Sequence, residues 1–287
     1  MEDKSPYFFI NKKVKIETIS DLFNLAQKKT YWPPGELYEP KLPPSTTGKD
    51  YAYVEFPHET SGLFRGQAQN WPLVPSSYRE SYFDPDKDTS EISKSFRYHS
   101  ATSQLSTFCE LASQQNSDFP KSPFEQMIIA QHYGIKTPLL DWTKNIFVAI
   151  YFALDLCDED DENKNLEPYL YHIRDEKLLL SGIEKESEIE KVNESALVMP
   201  YPIDRRIERQ FSAFSFHPHP LHKPKQIPLD EYRISGKLFI YLWRLLDGMG
   251  FSSSHYFPDY AGLADRIKQG YLLFGLWTKR DDILAKI

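Results

Sequence analysis

Two rhythms of hydrophobic positions interleave along this chain: three-to-four-residue spacing that predicts helices, and short aromatic or β-branched runs that predict strands. Leu22, Phe23 and Ala26 follow Thr18-Ile-Ser-Asp21, a capping-box signature, so a helix is predicted there, with Pro33-Pro34-Gly35 stopping any continuation. The Pro-, Ser- and Thr-rich stretch from Tyr38 to Gly48 reads as an exposed connector, and Tyr51 to Phe56 as a strand. Leu63 and Phe64 then predict a short buried strand that delivers Arg65 to a glycine, Gly66, continuing through Trp71, Leu73 and Val74 to a Ser-Ser-Tyr-Arg turn at Arg79.

Ile92, Phe96, Leu105, Phe108 and Leu111 suit one or two amphipathic helices. The next helix has the clearest local signature, with Ser122 as N-cap, Pro123 at the first helical position, Glu125 completing the box and Gly134 closing it. It leaves Gln131, His132 and Tyr133 near its C-terminal end. Ile135 to Thr143 predicts an extended segment, and Ile146 to Leu154 a central helix, apolar on more than one side, with Asp141 or Thr143 near its N-terminus. After the acidic run Asp155 to Glu162, strands are predicted at Tyr169 to Ile173, Ala196 to Met199 and Phe211 to Phe216, and a charged excursion at Glu184 to Glu194. Glu208 and Gln210 stand at the entrance of the Phe211 strand. A strand at Gln226 to Leu229, a long helix from Ser235 and a further helix from Phe257-Pro-Asp259 complete the pattern. The expectation is a single α+β domain over residues 16–270, with an arm at 1–15 and a tail at 271–287 packed on it.

With 287 residues, 40% apolar and 26% charged, the chain has the makeup of a soluble globular protein. Its net charge of −7 disfavours bulk nucleic-acid binding, so an anion must be held by local cations. Cys109 and Cys157 lack metal-ligand spacing, which points to a reducing compartment; with no signal-like N-terminus or membrane-length apolar run, the cytoplasm is expected. His217, His219 and His222 share a Pro-rich loop without the paired spacing a metal site uses.

Candidate chemistry gathers on four stretches. Arg65 is a bidentate donor for phosphate or carboxylate, and Arg79 sits among hydroxyls. His132 lies at a helix end, where a ligand contact and interaction with the last carbonyls compete. Thr143 and Trp142 precede a buried helix N-terminus, a natural place for an anionic or heterocyclic ligand.

Leu63-Phe-Arg-Gly-Gln67 with Trp71 and Pro75-Ser-Ser-Tyr-Arg79, then Gln131-His-Tyr-Gly134, Thr137, Leu139-Leu-Asp-Trp-Thr143 and Ala149-Ile-Tyr-Phe-Ala153, together resemble the FRG-domain family, named for Phe-Arg-Gly. Arg206, Gln210 and Phe214, and Phe257-Pro-Asp259 with Gly262, extend the resemblance over about residues 16 to 270; Pro138 departs from it where an arginine is expected. The order of these parts is also similar to that of ADP-ribosyltransferases of the Arg-Ser-Glu type, in which NAD lies in a split sheet. That likeness implies a split, mostly antiparallel sheet flanked by helices. It implies that Arg65 holds an NAD phosphate, that Thr143 stands where a serine positions the nicotinamide ribose, and that Gln210 or Glu208 stands where the glutamate acts. Gly66, Gln67, Arg79, His132, Tyr133, Asp141 and Trp142 would complete the NAD pocket. The function implied is an NAD-using ADP-ribosyltransferase or NAD glycohydrolase, acting on an unknown protein or nucleic-acid acceptor as an intracellular toxin or phage-defence effector. The alternatives are a binding module that uses Arg65, Arg79, Arg205, Arg206 and Arg209 on a nucleotide or nucleic acid, and, below it, a metal-dependent nuclease using Asp141 and Glu208.

Overall fold

A computed structural model describes residues 5–29, 62–83, 91–154, 168–173, 194–198, 205–219 and 223–278. The expected strand at Tyr51 to Phe56, the connector before it, the stop at Pro33-Pro34-Gly35, the acidic run after Leu154, nearly all of the charged excursion, Cys157 and His222 lie outside them. The fold is mixed α+β. Its strands are β1 (Phe8–Ile16), β2 (Leu63–Gln67), β3 (Leu139–Thr143), β4 (Tyr169–Ile173), β5 (Ala196–Val198), β6 (Ser212–Phe216) and β7 (Ile227–Ile234). They form one sheet in the order β1-β7-β4-β2-β3-β6-β5, antiparallel throughout except for β1 against β7.

The arm expected at residues 1–15 is, from Phe8 onward, an edge strand of the sheet. Val14 and Ile16 alternate with exposed lysines, a pattern that pays off only once β7 supplies a partner. A correction concerns the residues after β2. Trp71 to Val74 are irregular, and the expected turn at Ser76 is the start of a helix, α2 (Ser76–Phe83).

Helix α1 (Ile19–Lys29) begins with the predicted box: Thr18 Oγ1 accepts from the Asp21 N–H at 3.1 Å, and Asp21 Oδ2 accepts from the Thr18 N–H at 2.9 Å. Residues from Glu91 form one 25-residue helix, α3 (Glu91–Gln115). Helix α4 (Pro123–His132) ends at Gly134, whose φ of +81° is the left-handed conformation glycine adopts freely, but Ser122 makes no side-chain cap, and Pro123 and the first-turn Glu125 carry the N-terminal signal. Helix α5 (Ile146–Ala153) is capped by Asn145, whose Oδ1 accepts from the Phe147 N–H at 2.9 Å, with Thr143 just before it near the helix N-terminus. Helices α6 (Arg205–Arg209), α7 (Phe239–Gly248, after a 3₁₀ turn at Gly236–Leu238), α8 (Ser253–Tyr256) and α9 (Tyr260–Thr278) complete the described set.

Three apolar clusters pack on the sheet, one of them joining Met127 and Ile128 of α4 and Ile207 of α6 to Leu139, Phe214 and Phe216. Phe64, Leu170, Tyr232 and Ile234 pack with α1, α5 and α7 on one face. Leu63, Leu140, Trp142, Tyr171 and Ile173 pack with Tyr7, Phe8, Leu73, Val74 and Tyr78 on the other. Gly66 makes the first face possible, because a Cβ there would run into the Ala149 carbonyl oxygen and the Ala153 nitrogen of α5.

The joint between β2 and β3 positions the functional site. β2 pairs with β4 through five residues and β3 with β6 through five, yet β2 and β3 share one registered pair, Phe64 with Thr143. Beyond it the two strands part and leave two edges of backbone facing a gap.

Candidate functional site

A cavity of about 730 Å³ occupies that gap. Phe64 to Ala68 form one wall; Asp141, Trp142 and Thr143 form the facing wall; Val148, Ala149 and Phe152 of α5 lie beneath. Trp71, Pro72 and Arg79 border it on the side of one core, and Arg206, Gln210 and Phe257 border it elsewhere. A volume of this size, mostly apolar with a few convergent polar groups, is that of a site for a small molecule.

Arg65 spans the split. Its side chain is only 14% exposed. Nη1 donates to the Asp141 carbonyl oxygen at 2.8 Å, replacing a ladder bond that the parted strands do not make. Nε donates to Gln67 Oε1 at 3.2 Å, and Gln67 Nε2 in turn donates to the Trp71 carbonyl at 2.8 Å. Among the described residues Nη2 has no hydrogen-bond partner, so one edge of the guanidinium remains for a ligand. Burial pushes the Arg65 pKa down, and the Asp141 charge opposes that shift. Arg79 donates through Nε to the Val74 carbonyl at 2.9 Å. Its pKa is lowered by desolvation and then by the Arg65 charge, which places two cations beside one another on one rim.

Asp141 answers them. Its Oδ2 lies 3.6 Å from Arg65 Nη1, its Oδ1 accepts from Gln131 Nε2 at 2.6 Å, and the side chain is 60% exposed. Gln131 is held in turn by the buried Thr137, whose hydroxyl donates to Gln131 Oε1.

Of the residues singled out from the sequence, Arg65, Gly66, Gln67, Arg79, His132, Asp141, Trp142, Thr143 and Gln210 all line this cavity. Two do not. Tyr133 is 76% exposed and packs on Phe108 at 6.1 Å, because the chain leaves α4 at Tyr133 and its ring falls on the outer side. Glu208 is exposed and absent from the lining, since the five-residue helix α6 turns Ile207 inward and carries Glu208 to solvent.

Three lining residues have different work from that expected. Gly66 accommodates α5 rather than a ligand. Trp142 is buried, with Nε1 donating to Ser215 Oγ at 2.7 Å and its ring 5.6 Å from Phe8, so it anchors the sheet. Thr143 donates its hydroxyl to the Gln210 carbonyl at 2.7 Å and accepts from the Asn145 N–H at 3.1 Å, stitching the end of β3 to the entrance of β6. Gln131, Phe152 and Phe257 line the cavity without having been assigned a role from sequence. Gln131 lies one helical turn after Met127 and Ile128, a spacing that marks the edge of the buried stripe.

Of the five arginines proposed for a nucleic-acid surface, Arg65, Arg79 and Arg206 line this cavity, and Arg205 and Arg209 do not. Arg206 is ion-paired with Asp259 and lies over the Phe257 ring at 5.2 Å; Arg209 donates to the His255 carbonyl at 2.9 Å; Arg65 and Arg79 point to the cavity. Among the described residues no group of three His, Cys, Asp or Glu side chains is arranged to hold a metal ion. His217 is buried between Ser195 Oγ (2.7 Å) and Ser215 Oγ (2.6 Å), and burial lowers its pKa to about 3. No described helix is long and apolar enough to cross a membrane.

Residues 60–164, which include β2, α2, α3, α4, β3 and α5, match the family model of the FRG domain. No curated protein and no solved structure matches the chain.

Proposed function

We propose that this chain, which carries an FRG domain at residues 60–164, binds NAD in the cavity between β2 and β3 and cleaves its nicotinamide–ribose bond, as an ADP-ribosyltransferase or NAD glycohydrolase. The observation that carries the reading is the convergence of Arg65, Thr143 and Gln210 on one cavity where β2 and β3 part, although they come from strands or strand entrances far apart in the chain. That arrangement is similar to the layout of Arg-Ser-Glu transferases. The Nη2 edge of Arg65, which has no hydrogen-bond partner among the described residues, with Arg79 beside it, is suited to a diphosphate. Trp71, Phe152 and Phe257 supply aromatic side chains to the lining against which heterocycles can pack. Anionic affinity from a protein of net charge −7 then rests on this local pair of cations.

In this reading the bound ribose loses nicotinamide through an oxocarbenium-like transition state, and the ADP-ribosyl group passes to water or to a macromolecular acceptor. Thr143 acts by fixing the Gln210 backbone rather than by touching the ribose with its donor proton. An intracellular toxin or phage-defence effector is the setting proposed for such an activity, with the cytoplasm as its compartment.

The purified chain should release nicotinamide from NAD, measured by chromatography, and Arg65→Ala should lower kcat/KM by about 10²-fold or more, the cost of a lost charged contact of roughly 3 kcal/mol. Unchanged turnover in that variant would remove Arg65 from the site. One observation favours a second reading, nucleotide binding without turnover: Gln210 carries no charge and Glu208 faces solvent. Saturable NAD binding by calorimetry without nicotinamide release would select it.

A further inference from the structure

We infer that Asp141 is the carboxylate that stabilises the cationic ribose, with Gln131 and Thr137 as its positioning residues; the inference rests on the NAD reading of the cavity. Asp141 is the only carboxylate among the described lining residues. It stands two residues before Thr143 on the same face of β3, about 7 Å along the strand.

The carboxylate is held in a defined orientation. Thr137 is fully buried, and its hydroxyl accepts from the Leu139 N–H at 3.4 Å and donates to Gln131 Oε1. The amide group of Gln131 therefore turns its NH₂ end toward Asp141, where Nε2 donates to Oδ1 at 2.6 Å. The backbone of Thr137 is fixed as well: its N–H donates to Ser76 Oγ at 3.0 Å and its carbonyl accepts from the Ser77 N–H at 3.2 Å. The relay thus ends on the first turn of α2, the helix that carries Arg79. One run of side-chain and backbone hydrogen bonds ties the rim that carries Arg79 to the carboxylate.

Arg65 is the natural brake on this carboxylate. Its Nη1 is committed to the Asp141 carbonyl, so Oδ2 is met only at 3.6 Å, by charge rather than by a close hydrogen bond. A diphosphate arriving at Nη2 and at Arg79 supplies the arginine with a second counter-charge and leaves Oδ2 to face positive charge in the cavity. The C1′–N bond of NAD then breaks with its electron pair going to the ring nitrogen, which leaves as neutral nicotinamide. The positive charge passes to C1′ and O4′, against the Asp141 carboxylate. The oxygen of water bonds to C1′ and its proton goes to solvent, giving ADP-ribose, nicotinamide and one proton.

The test measures NAD affinity by calorimetry and nicotinamide release by chromatography on the wild type, Asp141→Asn, Gln131→Met, Thr137→Val and Glu208→Gln, each checked for an unchanged unfolding transition. Asp141→Asn should lower kcat by about 10²-fold or more while the NAD affinity stays within about threefold. Gln131→Met and Thr137→Val should lower kcat with KM nearly unchanged, Thr137→Val the less, since the amide can still reach Asp141. If Thr137→Val unfolds the chain, Gln131→Met carries the positioning arm by itself. Wild-type turnover that survives Asp141→Asn, or that is lost in Glu208→Gln in its place, overturns the assignment and leaves the NAD reading standing. A wild type that binds NAD without releasing nicotinamide overturns that reading, and the assignment with it.

Discussion

Neighbouring residues of β3 anchor two polar networks with opposite fates. Trp142 points into one core and begins a closed chain: its Nε1 donates to Ser215 Oγ, Ser215 meets His217 Nε2, and His217 Nδ1 meets Ser195 Oγ. Asp141 points the other way and belongs to an open chain, from Thr137 through Gln131 to Asp141 and on to Arg65. The indole can only donate, so Ser215 Oγ accepts from it, and the two ring nitrogens of His217 each meet a serine hydroxyl that can serve as donor or acceptor. Every member of that chain is buried and paired, as structural polar groups must be. The open chain ends in a carboxylate that is 60% exposed and a guanidinium edge without a described partner. The closed chain is made of hydrogen bonds completed by protein, whereas the open chain ends in a 3.6 Å ion pair at the cavity.

The largest effect that would test this contrast is in the closed chain. His217→Ala should lower stability by roughly 3–5 kcal/mol, because it opens a void and strands two hydroxyls; chemical denaturation measures it. A small loss would mean that water completes that network too, and the distinction would fail. The next effect is pH dependence. His217 titrates near its ordinary 6.5 when unfolded and at about 3 when folded, so between those values the unfolded state binds the extra proton. Its contribution is full above pH 6.5 and is lost as pH falls, at up to about 1.4 kcal/mol per pH unit. Unfolding free energies at pH 7, 6 and 5 should decline accordingly, and a His217→Gln variant should show a flatter slope over that range. The smallest effect belongs to the open chain. Asp141→Asn should change stability by no more than about 0.5 kcal/mol, as an exposed group whose pairs are solvent-screened. A loss of several kcal/mol there would make Asp141 a structural anchor and bring the two networks level.

Much of the scaffold around these chains was legible because its signals are local. The Thr18/Asp21 box, Pro123 with Gly134, and the order of β3, α5 and β4 depend on residues within a turn or two of one another. The same locality explains the errors. Asn145, directly before Ile146, caps α5, while the Thr143 hydroxyl donates to the Gln210 carbonyl, sixty-seven residues away, a contact no local pattern announces. Glu208 and Gln210 look equivalent in sequence, and only the rotation of α6 sends one to solvent and the other to the cavity. Gly66 reads correctly as a place of close approach, but the approaching group is the backbone of α5.

By itself, then, the sequence determined the mixed α+β character, most helix boundaries and the set of motifs from which the candidate site is drawn, since periodicity, caps and turn residues act over a few positions. The tertiary structure decided what those motifs face. The parting of β2 from β3 after a single pair, the stitching of Thr143 to Gln210 and the aim of Asp141 through Gln131 all depend on segments far apart in the chain. Such contacts form only when the sheet brings its edges together, and no local pattern carries their geometry.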